Sequence, residues 1–276
     1  MEELWRKLTE LMMQRPWLWL PVLIADLLAF LIGLGSKAWL QHILVKRLET
    51  HSVLGGPAVA TPLNASAIHS AMQAVAPIEW GANLLRLLLY LLAFLATAAL
   101  VRAFRARSVT PLEEVWAVIR RQFTHLLPVA GTALLVYLVT AFLAKALSDF
   151  LLHHGHRDVL MSGAAFGGWF GLGLGVITVA LLAVLVAPAA VQGLAQRPLD
   201  PTHRRQAQLL ALSLGVVALV LGRFVEANLL ALHASAGARS VLGATGSWIA
   251  ALPYAVLFAG LALLAIKAGW GMETEI

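Results

Sequence analysis

Six stretches of this chain stay apolar for about as long as a helix needs to cross a lipid hydrocarbon core, roughly 20 residues for about 30 Å. They fall at 16–35, 81–102, 126–147, 164–188, 207–226 and 247–268. A water-soluble fold of 276 residues cannot bury that much apolar surface, because 60% of its residues are hydrophobic and only 12% charged. An average soluble domain carries about 25% charged residues. Lipid has to cover the remainder. The chain therefore reads as an all-α integral membrane protein.

Charge orders the spans. Arg6, Lys7, Arg15, Arg102, Arg105, Arg107, Arg120, Arg121, Arg197, Arg204, Arg205 and Lys267 fall on one side. Lys37, Arg86, Lys145, Lys46, Arg47, Arg157, Arg223 and Arg239 fall at or beyond the other. The richer side is expected to be cytoplasmic, with both termini there, as in a multi-pass protein of the bacterial cytoplasmic (inner) membrane. The net charge of +6 is explained by these flanking clusters, so nucleic acid is not an expected partner. There is no cysteine, which excludes disulfides, zinc–thiolate sites, iron–sulfur clusters and cysteine nucleophiles.

Three basic amphipathic segments precede spans. EELWRKLTELMMQ (2–14) and EEVWAVIRRQF (113–123) share a Glu-Glu pair followed two residues later by Trp; RPLDPTHRRQAQ (197–208) is a weaker echo. Thr110 and Asp200 stand where helix caps would, each followed by Pro. The expected fold is thus six transmembrane helices as three hairpins, each preceded by an amphipathic interfacial helix. It forms one six-span domain over 1–276, with repeats at 1–105, 106–192 and 193–272. In the long outer connection, 36–80, SKAWLQHILVKRLE reads as a further interfacial helix starting at Ser36, and 64–75 as another short helix. The tryptophans near span ends, among them Trp5, Trp17, Trp19, Trp39, Trp80, Trp248 and Trp270, read as an aromatic belt.

Few residues offer chemistry. LLHHGHRD (151–158) gathers His153, His154 and His156 on the outer side. It reads as a solvated polar turn; the competing reading is a zinc site, completed by Asp149, Asp158 or His233. No HExxH pattern supports a catalytic metal, and no resident cofactor is expected. Asp26 lies about 15 Å into the bilayer at 1.5 Å per residue. A carboxylate there costs about 2.5–3.5 kcal/mol to insert, so it needs a partner. Arg86 is the expected one, in an intramembrane ion pair. In GAAFGGWFGLGLGV, Gly163, Gly167, Gly171 and Gly175 recur every four residues and form a face for close helix packing. Ala251, Ala255 and Ala259 offer a shallower face in the sixth span. Whether the glycine face packs within the chain or against another subunit is open at this point.

RAFRARSVTPLEEVWAVIRRQFTHLLPVAGTALLVYLV and VLVAPAAVQGLAQRPLDPTHRRQAQLLALSLGVVALV resemble the repeated unit of bacterial proteins similar to the membrane domain of glycerophosphodiester phosphodiesterases. The likeness spans roughly residues 90–225 and lies in pattern rather than fixed residues. It implies an all-helical membrane module. No segment resembles the soluble phosphodiesterase barrel, and no catalytic residue carries over. The EExxxR motif of CAAX-protease-like enzymes is broken, with Val118 where Arg is required.

The leading expectation is a non-enzymatic subunit that scaffolds a larger membrane assembly, its partners being the lipid bilayer and other membrane proteins. A small transporter or lipid-handling protein using Asp26 and Arg86 is the alternative. An outer-surface metal enzyme is the third reading.

Overall fold

The structure, a computed structural model, describes residues 1–53, 65–106, 111–153, 164–231 and 236–270. All described elements are helical: α1 (Glu2–Gln14), a 3-10 turn (Pro16–Trp19), α2 (Leu20–Val53), α3 (Ala65–Ala106) and α4 (Pro111–His153). Then follow α5 (Ala164–Leu181), a π-helical turn (Leu182–Val186), α6 (Ala187–Ala195), α7 (Pro201–Ala231) and α8 (Ala236–Lys267). Among the described residues, six segments are long and apolar enough to cross a membrane: Pro16–Leu40, Gly81–Phe104, Val115–Ala144, Leu172–Ala195, Pro201–Val225 and Trp248–Lys267. The protein is a multi-pass membrane protein that would sit in a lipid bilayer.

Only the first amphipathic segment is a helix of its own. Leu4, Leu8 and Met12 recur every four residues and are buried, while Glu3 and Lys7 pair at 2.6 Å on the opposite face. Arg15 leaves helical geometry (φ −132°, ψ 76°) just before Pro16, which cannot donate to the preceding turn. Nothing comparable interrupts the others. Residues 111–123 are the opening turns of α4, and 201–207 those of α7. The expected separate helix at 36–49 is continuous with α2, because Ser36 does not cap: its hydroxyl donates back to the Gly33 carbonyl at 3.0 Å. Residues 65–75 likewise belong to α3. The helix that carries the fourth apolar segment starts at Ala164, as expected.

α8 is the axis of the bundle, packing against α1, α2, α3, α6 and α7. Ala251, Ala255, Ala259, Ala262 and Ala265 are buried along it. Small side chains let neighbouring backbones approach, and dispersion over that close contact replaces the hydrophobic drive that lipid removes. Of the glycine face, Gly175 packs against a helix of the same chain. A Cβ on Gly175 would stand 2.5 Å from Leu219 Cδ1, and one on Gly215 would stand 2.7 Å from Val179 Cγ1, so α5 and α7 interlock reciprocally. The surroundings of Gly163, Gly167 and Gly171 lie outside the described residues.

Asp200 caps α7 as its position suggested: the His203 backbone N–H donates to its carboxylate at 2.7 Å. That bond, reinforced by the His203 side chain, holds the Asp200 carboxyl below the usual carboxylate range. A lowered folded-state pKa means the cap is fully effective above the ordinary aspartate value and is lost as pH falls through the lowered one. Asp200→Asn, which keeps an acceptor without a titrating proton, is expected to flatten this dependence. Amide exchange at His203 followed across the acidic range is the check; equal pH profiles in both proteins would contradict it.

The belt is partly as expected. Trp17, Trp39 and Trp248 are exposed, as is Trp116. Trp270 is not: it is 6% exposed, with Arg102 over its ring at 5.4 Å. Arg15 lies over Phe104 at 5.1 Å in the same way, so basic residues at this end clamp aromatic rings as well as flank spans.

Candidate intramembrane site

Pro188 sits within the fourth span and perturbs its helix. Proline lacks an N–H and crowds the carbonyl four residues earlier, here Val184. The helix answers with the π-helical turn at Leu182–Val186. The Val184 carbonyl takes a hydrogen bond from Gln208 Nε2 of α7 at 3.4 Å instead. A freed backbone group at membrane depth requires such a partner.

Beside this turn lies a chamber of about 340 Å³. Its walls come from α3 (Leu87, Tyr90, Leu91, Phe94), α4 (Val129, Ala130, Ala133), Val179 and the π-turn. Ala187 and Ala190 of α6, Ala211 and Gly215 of α7, and Tyr254, Leu257, Phe258 and Leu261 of α8 complete it. These positions fall near the middle of their spans. Alanine and glycine on so many facing walls leave the space that larger side chains would fill. Phe94 and Phe258 meet edge to face across it, centroids 5.3 Å apart. A volume of this size is within the range of small-molecule sites, about 300–1,000 Å³.

One pole of the chamber is polar. Asp26 of α2, 6% exposed, stands behind it and accepts a hydrogen bond at 2.8 Å from the hydroxyl of the lining residue Tyr90. The Tyr90 and Tyr254 rings lie 6.0 Å apart, tilted by 56°. Arg86 is one turn further along α3. Its Nε donates to the Ala29 carbonyl at 3.3 Å and its Nη1 to Asn83 Oδ1 at 3.2 Å. Asn83 in turn donates to the Tyr137 hydroxyl at 2.6 Å. Gly33 makes room for the guanidinium, since a Cβ there would collide with Arg86 Nη2. Asp26 and Arg86 thus share the α2–α3 seam, and the hydrogen-bond partners seen for them are tyrosine, asparagine and backbone. A second hollow of about 410 Å³ runs between α3 and α4, lined by Gly81, Asn83, Leu84, Leu134, Tyr137 and Leu138. Leu87 lines both spaces.

Tyr90 and Tyr254 escaped the sequence reading. The available signal was their depth: tyrosine favours the headgroup region, yet all three tyrosines of the chain sit within spans and within reach of this polar pole. His154, His156 and Asp158 lie outside the described residues, as do the side chains of His153, Lys145, Asp149 and Glu226. Among the described residues no group of three or more His, Asp or Glu could hold a metal ion. No protein-family model, curated protein or solved structure matches the chain.

Proposed function

We propose that this protein is a lipid-handling membrane component without chemistry of its own, receiving the apolar part of an amphiphile in the chamber between α3, α4, the π-turn, α6, α7 and α8. The chamber itself carries the reading: an apolar hollow near mid-membrane, with polar groups confined to one pole, matches a molecule that is mostly hydrocarbon with one polar end. In a lipid-bathed protein such a space fills with lipid unless its shape selects something else. The basic residues on the side of α1 and the α3–α4 connection favour cytoplasmic termini, in a bacterial cytoplasmic membrane. Scaffolding of other subunits is the weaker reading, because the described part of the glycine face is occupied by α7 of the same chain.

Ala133→Phe tests the chamber. It adds a ring to a wall that faces open volume, so the fold is expected to tolerate it, with unchanged or raised thermal stability. Native mass spectrometry of protein released gently from membranes is expected to show a retained lipid on the wild type and at least about fivefold less on the variant, the loss expected when an added ring blocks the site. Equal lipid on both would sink the reading. Added mass matching other polypeptides, with no lipid, would return the protein to the scaffold class.

A further inference from the structure

The polar pole is specific in what it offers. Asp26 and Arg86 supply opposite charges behind it, and both are engaged: the carboxylate by Tyr90, the guanidinium by Ala29 and Asn83. A charged ligand head entering here would meet the opposite charge it needs and the like charge it must avoid within about one helical turn, in a medium where an unpaired charge is costly. Neutral groups face no such conflict. Tyr90 has spent its proton on Asp26, so its oxygen has only lone pairs left to offer. Tyr254 lines the same chamber, and no described residue is hydrogen-bonded to its hydroxyl. The pole therefore presents one free O–H donor beside acceptor oxygens, held by two rings 6.0 Å apart. The group complementary to that set both accepts and donates one hydrogen bond and carries no charge.

Resting on the lipid-handling reading, we infer that the chamber selects an amphiphile whose polar end is an uncharged hydroxyl, received between Tyr90 and Tyr254. A long-chain alcohol or an acylglycerol with a free hydroxyl belongs to this class. Tyr254 then sets specificity: it donates to the ligand oxygen, while Tyr90 accepts the ligand proton and keeps its bond to Asp26.

Chain-matched probes test this: oleyl alcohol, oleate, oleylamine and cis-9-octadecene, each titrated onto the full chain in one detergent and read as thermal stabilisation. Oleyl alcohol is expected to bind most tightly. Tyr254→Phe removes a hydroxyl that has no described protein partner, so its packing is retained. It is expected to weaken oleyl alcohol roughly five- to tenfold, the scale of one hydrogen bond, and to leave octadecene unchanged. Comparing variant with wild type for each probe cancels differences in micelle partitioning. Preference for oleate would put Arg86 in charge of the site and preference for oleylamine would put Asp26 in charge; either overturns the inference and leaves lipid handling standing. Equal weakening of every probe does the same. Failure of all four probes to bind the wild type removes both. If Tyr254→Phe does not fold, the headgroup ranking of the wild type decides alone.

Discussion

Gly260→Val is expected to destabilise the protein by about 1–3 kcal/mol, the usual range for overpacking a filled core. Gly260 lies where α8 is pinched between α7 and α1. A Cβ there would collide with Leu210 Cδ2 and stand 3.3 Å from Leu8 Cδ2. Both leucines are fully buried, so neither can swing its side chain out of the bundle without losing core packing. The displaced atoms belong to α7 and to α1 itself, and α1 packs on the bundle through α8, so α1 should loosen first. Gly173→Ala is the control: its Cβ would meet nothing within 4 Å. It should be neutral or gain up to about 1 kcal/mol from the better helix propensity of alanine. Unfolding curves in mixed micelles measure both. Equal midpoints for the two variants would show that the α1–α8–α7 contact is not as tight as described.

Tyr90→Phe carries the second large effect. It takes the hydroxyl donor from a carboxylate that is 6% exposed near mid-membrane. Hydrogen bonds to charged groups contribute about 1.5–3 kcal/mol, which sets the expected loss. Asp26→Leu should cost less, because it removes the group that needs a partner and returns an apolar residue to a lipid-embedded helix. The decisive variant is the double one. Asp26→Leu with Tyr90→Phe is expected to be more stable than Tyr90→Phe alone, with a coupling of about 1–3 kcal/mol. Strict additivity would mean the two side chains do not depend on one another. The cycle also separates structure from selectivity: Asp26 and Tyr90 register as stability, whereas Tyr254 registers as ligand preference.

The sequence by itself determined that the chain carries six segments long and apolar enough to span a membrane, that 2–14 is an amphipathic helix with one buried face, that Asp200 starts a helix and that Asp26 requires a partner. Each of these is local. Span length, the spacing of Leu4, Leu8 and Met12, and the insertion cost of a carboxylate are properties of a stretch of chain and its solvent. The limits of such reasoning show at 36–49 and 111–123, where amphipathic patterns were read as separate helices. Pattern marks a helical face, but only a break such as Arg15–Pro16 ends a helix, and neither segment has one. Tertiary structure alone decided the rest. Tyr90 meets Asp26 across 64 positions, and Val184 is rescued from Pro188 by Gln208 on another helix. Gly175 was legible as a packing residue, but the sequence could not say that Leu219 fills its notch. The chamber is the extreme case, since it is bounded by residues from every helix between α3 and α8. A cavity is the space that distant side chains leave unfilled, and no local pattern encodes it.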